Sequence, residues 1–194
     1  MTEPTRTITA PGGPADPPPP ADKPVPQFLA DLQREIGSGV TALSYWVGDW
    51  TAILSIDRLV AAAQYLRDAP GARFEFLSDL TASDWPPRSK RFDVIYSLYS
   101  ISLKHRVRLK VQAGDGEPVP TVTVVWPSAN WLEREVFDLF GIRFAGHPDL
   151  RRILMPDDWQ GHPQRKDYPL EGPGEMLMEN PLDWLNLKHR EEIE

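Results

Sequence analysis

Apolar and polar residues recur with the period of a helix in two early segments of the chain. From Phe28 to Ile36 the apolar residues lie three or four positions apart, and Gly37 follows as a helix stop. After Ser55, a residue type favoured at helix N-caps, apolar residues again follow this spacing until Pro70. These patterns predict two helices, each of which buries one apolar face.

Six further segments show the short apolar runs or the alternation that is typical of strands. They are residues 40–47, 50–54, 74–80, 91–102, 107–111 and 121–125. Gly48 and Asp49 separate the first two segments and predict a tight turn. Only four residues link the fourth and the fifth segments, so we predict that these two strands form an antiparallel hairpin.

A third helix is predicted over residues 129–140, with Ser128 as its N-cap and Gly141 as its stop. After Pro156 the chain follows neither the helical nor the strand period. The order helix, strand, strand, helix and three strands predicts an α+β fold, built as a two-layer sandwich. A C-terminal helix and a long extended tail follow this sandwich.

Composition divides the chain into four segments. Nine of the first 26 residues are proline, so residues 1–26 are expected to form a disordered proline-rich arm. Residues 27–127 are expected to form the α+β domain, and residues 128–156 the third helix with a charged loop. Residues 157–194 are expected to form an extended, partner-binding tail, because a long segment without period rarely lies inside one compact domain.

Charge and composition exclude several classes of function. The absence of cysteine excludes disulfides, thiolate zinc sites and cysteine-ligated iron–sulfur clusters. A net charge of -7 argues against nucleic acid as a partner. The chain has no glycine-rich nucleotide motif and no apolar run of the roughly 20 residues that a membrane-spanning helix needs. We therefore expect it to meet a membrane only through a partner.

The densest cluster of charges lies between Trp131 and Trp159. A helical wheel places Glu133 on the apolar edge of the third helix, where a carboxylate must find a cation or lose its charge. Arg151 and Arg152 are the expected cations, provided that the chain folds back on the helix. Two interpretations stay open: the charges form an internal clamp, or some of them reach a neighbouring subunit.

Three charged residues, Arg134, Glu135 and Asp138, fall on the opposite, polar face of the same helix. Arg134 and Asp138 are four residues apart and can pair. Glu135, Asp138 and His147 are the residue types of a carboxylate–histidine metal site. Because His147 lies beyond the helix in a proline-flanked loop, we expect it instead to shape a turn and to donate hydrogen bonds. His105 is expected at the surface.

The tail combines charged, aromatic and proline residues, and Trp, Tyr and Arg are the types that anchor interfaces. Residues 157–172 have too little apolar surface to offset about 1–2 kcal/mol of backbone entropy per residue. We therefore expect them to be mobile in the free chain and ordered on a partner, where Arg165 and Lys166 meet carboxylates. The candidate interface residues are Glu133, Arg134, Glu135, Asp138, His147, Arg151, Arg152, Asp157, Asp158, Trp159, Arg165, Lys166, Asp167 and Tyr168.

The charged cluster also carries a family resemblance. The string "EREVFDLF", followed six residues later by "HPDLRRIL" and then by "MPDDWQGHPQRKDYPL", resembles the signature of the 30-kDa-type subunit of proton-pumping NADH:quinone oxidoreductase, respiratory complex I. Bacterial members of this family carry the letter C. The resemblance covers roughly residues 27–172, and it departs from the family pattern at Gln164, where leucine is expected.

The resemblance implies a cofactor-free structural subunit of the peripheral arm, on the cytoplasmic side of the bacterial inner membrane. FMN, iron–sulfur clusters and quinone are then bound by partner subunits, chiefly the 49-kDa-type subunit that forms the quinone cavity and its cluster-bearing neighbours. The assembly passes electrons from NADH to quinone and translocates protons. The alternatives are the equivalent subunit of a ferredoxin-, F420- or formate-linked membrane complex, or a stand-alone metal-dependent hydrolase that uses Glu135, Asp138 and His147.

Overall fold

A computed structural model describes residues 16–169 of the 194-residue chain. Within these residues the helices are α1 (Gln27–Ile36), α2 (Leu59–Asp68) and α3 (Ala129–Phe140). The strands are β1 (Val40–Trp46), β2 (Asp49–Leu54), β3 (Phe76–Asp84), β4 (Phe92–Ser100), β5 (His105–Ala113), β6 (Val119–Pro120) and β7 (Phe144–Ala145). None of the helices in residues 16–169 is long and apolar enough to cross a membrane.

Five strands form one mixed sheet in the order β1-β2-β5-β4-β3. Neighbouring strands are antiparallel except for β2 and β5, which run parallel. The β4–β5 hairpin pairs Phe92 with Ala113 and Ser100 with His105, as the alternation in the sequence predicts. Strands β6 and β7 form a separate two-stranded parallel pair. The predicted α+β class is confirmed.

The hydrophobic core lies on one face of the five-stranded sheet. Alternate residues of β4 are fully buried, as predicted: Phe92, Val94, Tyr96 and Leu98. They belong to one cluster with Leu29 and Leu32 of α1 and Leu66 of α2. Side chains of this kind each contribute roughly 1.5–3 kcal/mol when fully buried, so the two helices are held on the sheet mainly by this cluster.

The turn between β1 and β2 lies one residue earlier than predicted. Trp46 pairs with Asp49, which leaves Val47 and Gly48 as the two turn residues. Both have positive φ angles, 50° and 90°, as a two-residue hairpin turn of the mirror-image type requires. Glycine therefore takes the second turn position, and the β-branched Val47 occupies a conformation that such residues rarely adopt.

The strand predicted at residues 121–125 does not form. The two-residue strand β6 ends at Pro120, and the residues after it form a turn before α3. Proline cannot donate to a strand ladder, which favours so short a pairing. The turn places Thr121 and Val122 against α3, with a consequence for Glu133 described below.

Three local expectations fail although the surrounding elements form. Ser55 and Ser128 lie at the predicted helix starts, but neither side chain makes a capping hydrogen bond. A one-turn 3-10 helix, Ile56–Arg58, separates Ser55 from α2. His105 is half-buried between the rings of Phe28 and Phe74, 4.7 Å from each centroid, because its Nε2 lies 2.7 Å from the carbonyl oxygen of Ala72.

The described end of the proline-rich arm lies against the sheet. The carbonyl oxygen of Pro17 accepts hydrogen bonds from Ser44 Oγ at 2.7 Å and from the backbone N–H of Tyr45 at 3.3 Å. The carboxylate of Asp16 pairs with Lys110 of β5. Composition predicts disorder throughout residues 1–26, whereas residues 16 and 17 are held by these contacts. Residues 1–15 lie outside the described part of the chain.

Candidate functional site

Helix α3 buries three charged side chains under the loop that follows it. Glu133 and Asp138 have no exposed surface, and Arg134 is also buried. The helical wheel predicts burial for Glu133 but exposure for Arg134 and Asp138. The expectation for those two residues is wrong, because residues 151–162 fold back over the polar face of α3 and supply matching hydrogen-bond partners. Only Glu135 of the four charged residues is exposed.

Asp138 is the centre of this buried charge clamp. Its Oδ2 atom accepts hydrogen bonds from the backbone N–H groups of Ile153, Leu154 and Met155 at 2.8–3.0 Å. Its Oδ1 atom accepts one from Arg152 Nη1 at 2.7 Å. Burial acts to raise the pKa of Asp138, but these four donors more than offset it and hold the pKa below its usual range. Asp138 is therefore a charged anchor for the loop.

Arg134 holds the same loop from the other side. Its Nε and Nη2 atoms donate to the carbonyl oxygens of Arg151 and Arg152 at 3.2 and 3.1 Å. The guanidinium lies over the ring of Trp131, 5.0 Å from its centroid. The predicted pairing of Arg134 with Asp138 does not occur. Each of the two residues instead binds the returning loop, so they form an internal clamp together with Arg152.

Glu133 is buried as predicted, but its expected partners are wrong. Its Oε2 atom accepts a hydrogen bond from Thr121 Oγ1 at 2.6 Å, and its Oε1 atom accepts one from the backbone N–H of Val122 at 2.8 Å. Arg152 is bound by Asp138, and Arg151 lies at the surface. Burial raises the pKa of Glu133 to about 7, and the hydrogen bonds from Thr121 and Val122 counter only part of this shift.

Two titratable groups surround the Glu133 carboxylate. Nδ1 of His147 accepts a hydrogen bond from the backbone N–H of Asp149 at 3.0 Å, which leaves Nε2 to donate to the carbonyl oxygen of Asn130 at 3.1 Å. The same Nε2 lies 4.0 Å from Glu133 Oε2. Burial, and after it the charge on Glu133, raises the pKa of Tyr96.

The residues of the hypothetical hydrolase site are not brought together. Asp138 faces the loop amides, His147 faces Asn130 near the other end of α3, and Glu135 points to solvent. Within residues 16–169 there is no group of three or more histidine, aspartate or glutamate side chains placed to hold a metal ion. The geometry therefore gives no support to a stand-alone hydrolase.

The first residues of the tail are attached to their own domain by ion pairs. Arg165 binds both carboxylate oxygens of Asp115, at 2.9 and 2.7 Å, and Asp167 bridges Arg165 and Arg91 at 3.0 and 2.9 Å. Arg91 in turn pairs with the buried Asp84. The hydrogen bonds from Arg165 lower the pKa of Asp115, and those from Arg165 and then Arg91 lower the pKa of Asp167.

Backbone contacts complete this tail anchor, which we define as residues 162–168. The backbone N–H of Lys166 donates to Asp84 Oδ2 at 2.9 Å, and that of Gln164 donates to the carbonyl oxygen of Leu139 at 3.0 Å. Arg165 was expected to meet a carboxylate of another subunit, but its partners belong to the same chain. The turn after β5 brings Asp115 to this position, where sequence spacing gives no signal for it.

Gly141 shows how closely the tail packs on the end of α3. Its φ angle of 78° ends the helix in the left-handed conformation, as its position after Phe140 predicts. A Cβ atom at this position would lie 2.6 Å from the ring of His162. The ring is itself fixed by its Nδ1 atom, which donates to the carbonyl oxygen of Asp138 at 2.8 Å. Glycine is thus required for both the backbone turn and the tail.

Some of the candidate interface residues remain at the surface. Asp157, Asp158 and Lys166 are exposed, and Trp159 and Tyr168 are half-buried. The hydroxyl of Tyr168 donates to the carbonyl oxygen of Gln160 at 3.3 Å. Sequence reasoning misses four residues that complete the clamp and the tail anchor, because each acts across a long sequence separation: Thr121, Asp84, Arg91 and Asp115.

Comparison with known families agrees with this fold and its charged motif. Residues 53–174 match the family model of the respiratory-chain NADH dehydrogenase 30 Kd subunit. The chain belongs to this family, and the resemblance drawn from the charged cluster is confirmed. The C subunit of the NADH-quinone oxidoreductase of Caulobacter sp. (strain K31) is 45% identical over 163 residues, which cover 84% of this chain and 76% of that protein.

Two further relatives extend the comparison. The C subunit of the NADH-quinone oxidoreductase of Roseiflexus castenholzii is 47% identical over 146 residues, which cover 75% of this chain and 84% of that protein. Among solved structures, a chain of the membrane-bound sulfane sulfur reductase, an archaeal respiratory membrane complex, superposes with a TM-score of 0.62. The match covers 84% of this chain and 90% of that one, and at 19% identity it shows the fold alone.

Proposed function

We propose that the chain is a cofactor-free structural subunit of a proton-translocating NADH:quinone oxidoreductase. In such an assembly electrons pass from NADH through FMN and iron–sulfur clusters to quinone, and all of these groups are bound by partner subunits. The family membership and the names of the relatives support this proposal. The complete absence of cysteine supports it too, because an iron–sulfur subunit needs thiolate ligands. The chain contributes shape and charge and no catalytic residue.

The observation that carries the proposal is the internal use of the clamp charges. Asp138, Arg134 and Arg152 are already engaged with the returning loop or with one another. They hold the loop in one conformation, and Trp131 and Leu154 remain 61% and 58% exposed at its edge. Large apolar side chains on a rigid, charge-rimmed surface are suited to protein–protein docking.

The proposed partner of this surface is the 49-kDa-type subunit that forms the quinone cavity, with cluster-bearing subunits as further neighbours. We assign the docking surface to residues 128–156 and its continuation to the tail, residues 157–194. Asp157 and Asp158 open this continuation with two exposed carboxylates, which a basic partner surface can bind. The proposed location is peripheral, on the cytoplasmic side of the bacterial inner membrane, with membrane contact only through the complex.

Substitution of the docking surface tests the proposal. Full-length tagged chain is expressed in its own organism, and membranes are solubilised and purified on the tag. We expect Trp131→Ser with Leu154→Ser to abolish co-purification of the other subunits and NADH-driven quinone reduction together. Ile101→Ser is the matched control, because Ile101 is equally exposed, at 61%, in the turn between β4 and β5. Full assembly of the double variant would contradict the assigned surface.

The wild-type preparation distinguishes the electron donor. An assembly that oxidises NADH supports the proposed enzyme. An assembly that co-purifies with the chain but accepts electrons only from reduced ferredoxin, F420 or formate would assign it to one of the related membrane complexes. A tagged chain that purifies alone from active membranes would contradict membership in either kind of assembly.

A further inference from the structure

A groove of about 430 Å³ crosses the face of the five-stranded sheet that lies opposite the core. Ile95 and Lys110, paired across β4 and β5, alternate with the buried core residues and form its floor. Trp46 of β1 borders one end, and Trp85, which follows β3, borders the other. The groove is therefore lined by two indole rings and one aliphatic side chain, with a cation near its middle.

The described end of the proline-rich arm already occupies one part of this groove. Pro17 lies over β1, where its carbonyl oxygen accepts the hydrogen bonds from Ser44 and Tyr45. Asp16 lies further along, where it pairs with Lys110 of β5. Because Lys110 is only 6% exposed, this ion pair is formed inside the groove. An isolated lysine there would be costly, so the arm supplies a charge that the groove needs.

These two contacts define the direction of the arm. The step from Pro17 back to Asp16 leads from β1 to β5, and the strand order continues from β5 to β4 and β3. The residues before Asp16 therefore have a short path to the part of the groove that Ile95 and Trp85 line. Two strand spacings, about 10 Å, remain to be crossed. Extended proline-rich chain covers about 3.1 Å per residue, so three to four residues suffice.

We propose that this groove is a binding site for an extended proline-rich segment, and that its occupant is residues 11–15 of the same chain. Their sequence, Pro-Gly-Gly-Pro-Ala, has small apolar residues that fit between indole rings. Aromatic-lined grooves bind such segments because the extended proline helix loses little conformational entropy on binding. The arm then covers an otherwise open sheet face, and a neighbouring subunit that uses this face has to displace it.

Cysteine cross-linking tests the proposal cleanly, because the natural chain contains no cysteine. The full-length variant Gly13→Cys with Ser83→Cys places one thiol in the arm and one at the Trp85 end of the groove. Gly13→Cys with Ala61→Cys is the matched control, because Ala61 is exposed on α2, on the opposite side of the sheet. Under mild oxidation we expect the first pair to form an intramolecular disulfide at least about tenfold faster than the control pair.

Two further variants protect the test against a failed substitution. Pro14→Cys with Ser83→Cys should also cross-link faster than the control. Lys110→Gln, added to either groove pair, should slow cross-linking several-fold, because it removes the cation that holds Asp16. Equal rates in the groove and control pairs would overturn the proposal, as would rates that do not change with Lys110→Gln. A cross-link that forms in the free chain but not in the purified assembly would give the groove to a neighbouring subunit.

Discussion

The two ends of α3 each bury one carboxylate, and they treat its charge in opposite ways. Asp138 receives four hydrogen bonds, one of them from a guanidinium, and its pKa lies below the usual range. Glu133 receives two hydrogen bonds from uncharged donors, and its pKa is raised to about 7. Burial is the same in both cases, since neither side chain has exposed surface.

The difference shows that the donors, and not the degree of burial, decide whether a buried carboxylate stays charged. At the Asp138 end the backbone of the loop is wrapped around a fixed negative charge. At the Glu133 end the turn after β6 supplies only Thr121 and Val122, so the carboxyl group exchanges its proton near neutral pH. One end of the helix is thus held at any ordinary pH, and the other end responds to pH.

The largest effect is expected at the Asp138 end. Asp138→Asn leaves Arg152 without its anion and at least one loop amide without an acceptor. Loss of one partner of a buried pair costs roughly 3–5 kcal/mol, so we expect a decrease of this size in the free energy of unfolding. Urea denaturation of the full-length chain measures it. Glu135→Gln, on the exposed face of the same helix, is the control and should change stability by less than about 0.5 kcal/mol. Equal effects would contradict the clamp.

At the Glu133 end the comparison is sharpened by pH. The folded chain, with a pKa near 7 against an ordinary 4.5, binds this proton more tightly than the unfolded chain does. Raising the pH from 4.5 to 7 therefore favours unfolding, by about 3 kcal/mol at most, and the effect levels off above that range. Glu133→Gln should remove this dependence, because glutamine can accept from Val122 and donate to Thr121. Denaturation series at several pH values for both chains measure the difference.

Parallel pH profiles for the wild type and Glu133→Gln would contradict a titrating Glu133. The sequence alone leads to a different expectation, in which Glu133→Gln is costly because it leaves a buried arginine unpaired. The structure places no arginine of residues 16–169 in hydrogen-bond contact with Glu133, so that cost does not arise. Glu135→Gln again serves as the control, and its profile should follow that of the wild type.

The smallest effect is expected at the tail anchor, where the charges are partly exposed. Asp115→Asn removes the two hydrogen bonds to Arg165, and such exposed pairs are worth under about 1 kcal/mol. The global stability should hardly change, but residues 164–168 should exchange their amide hydrogens faster. Hydrogen exchange on the full-length chain measures this, with the amides of β4 as an internal reference. Unchanged exchange at residues 164–168 would show that the ion pair does not hold the tail.

Local sequence pattern predicts those parts of the fold that depend on neighbouring residues. The bounds of α1 and α3 follow from their period and from the glycines that end them, and the β4–β5 hairpin follows from alternation and a short link. The burial of Glu133 also follows from its place on the wheel. The failures have one physical cause in common: the partners of Arg134, Asp138 and Arg165 come from distant segments.

A polar face on a helical wheel is read as solvated unless another segment is known to cover it. Here residues 151–162 cover that face of α3 and satisfy its charges. Arg165 and Asp115 are fifty residues apart and meet only because the β5–β6 turn and the tail converge. No local spacing encodes such a meeting. The family resemblance, which reads the whole charged string at once, recognises the segment without describing its contacts.

The central position of β5 has a consequence for synthesis of the chain on the ribosome. The β1–β2 hairpin is complete at Leu54, but its parallel partner begins at His105 and extends to Ala113. At roughly 5–20 residues per second, the ribosome needs several seconds to make the intervening segment. During that interval one edge of β2 presents unpaired backbone groups, which can pair with another nascent chain. Insertion of β5 closes that edge and joins the two halves of the sheet in a single step.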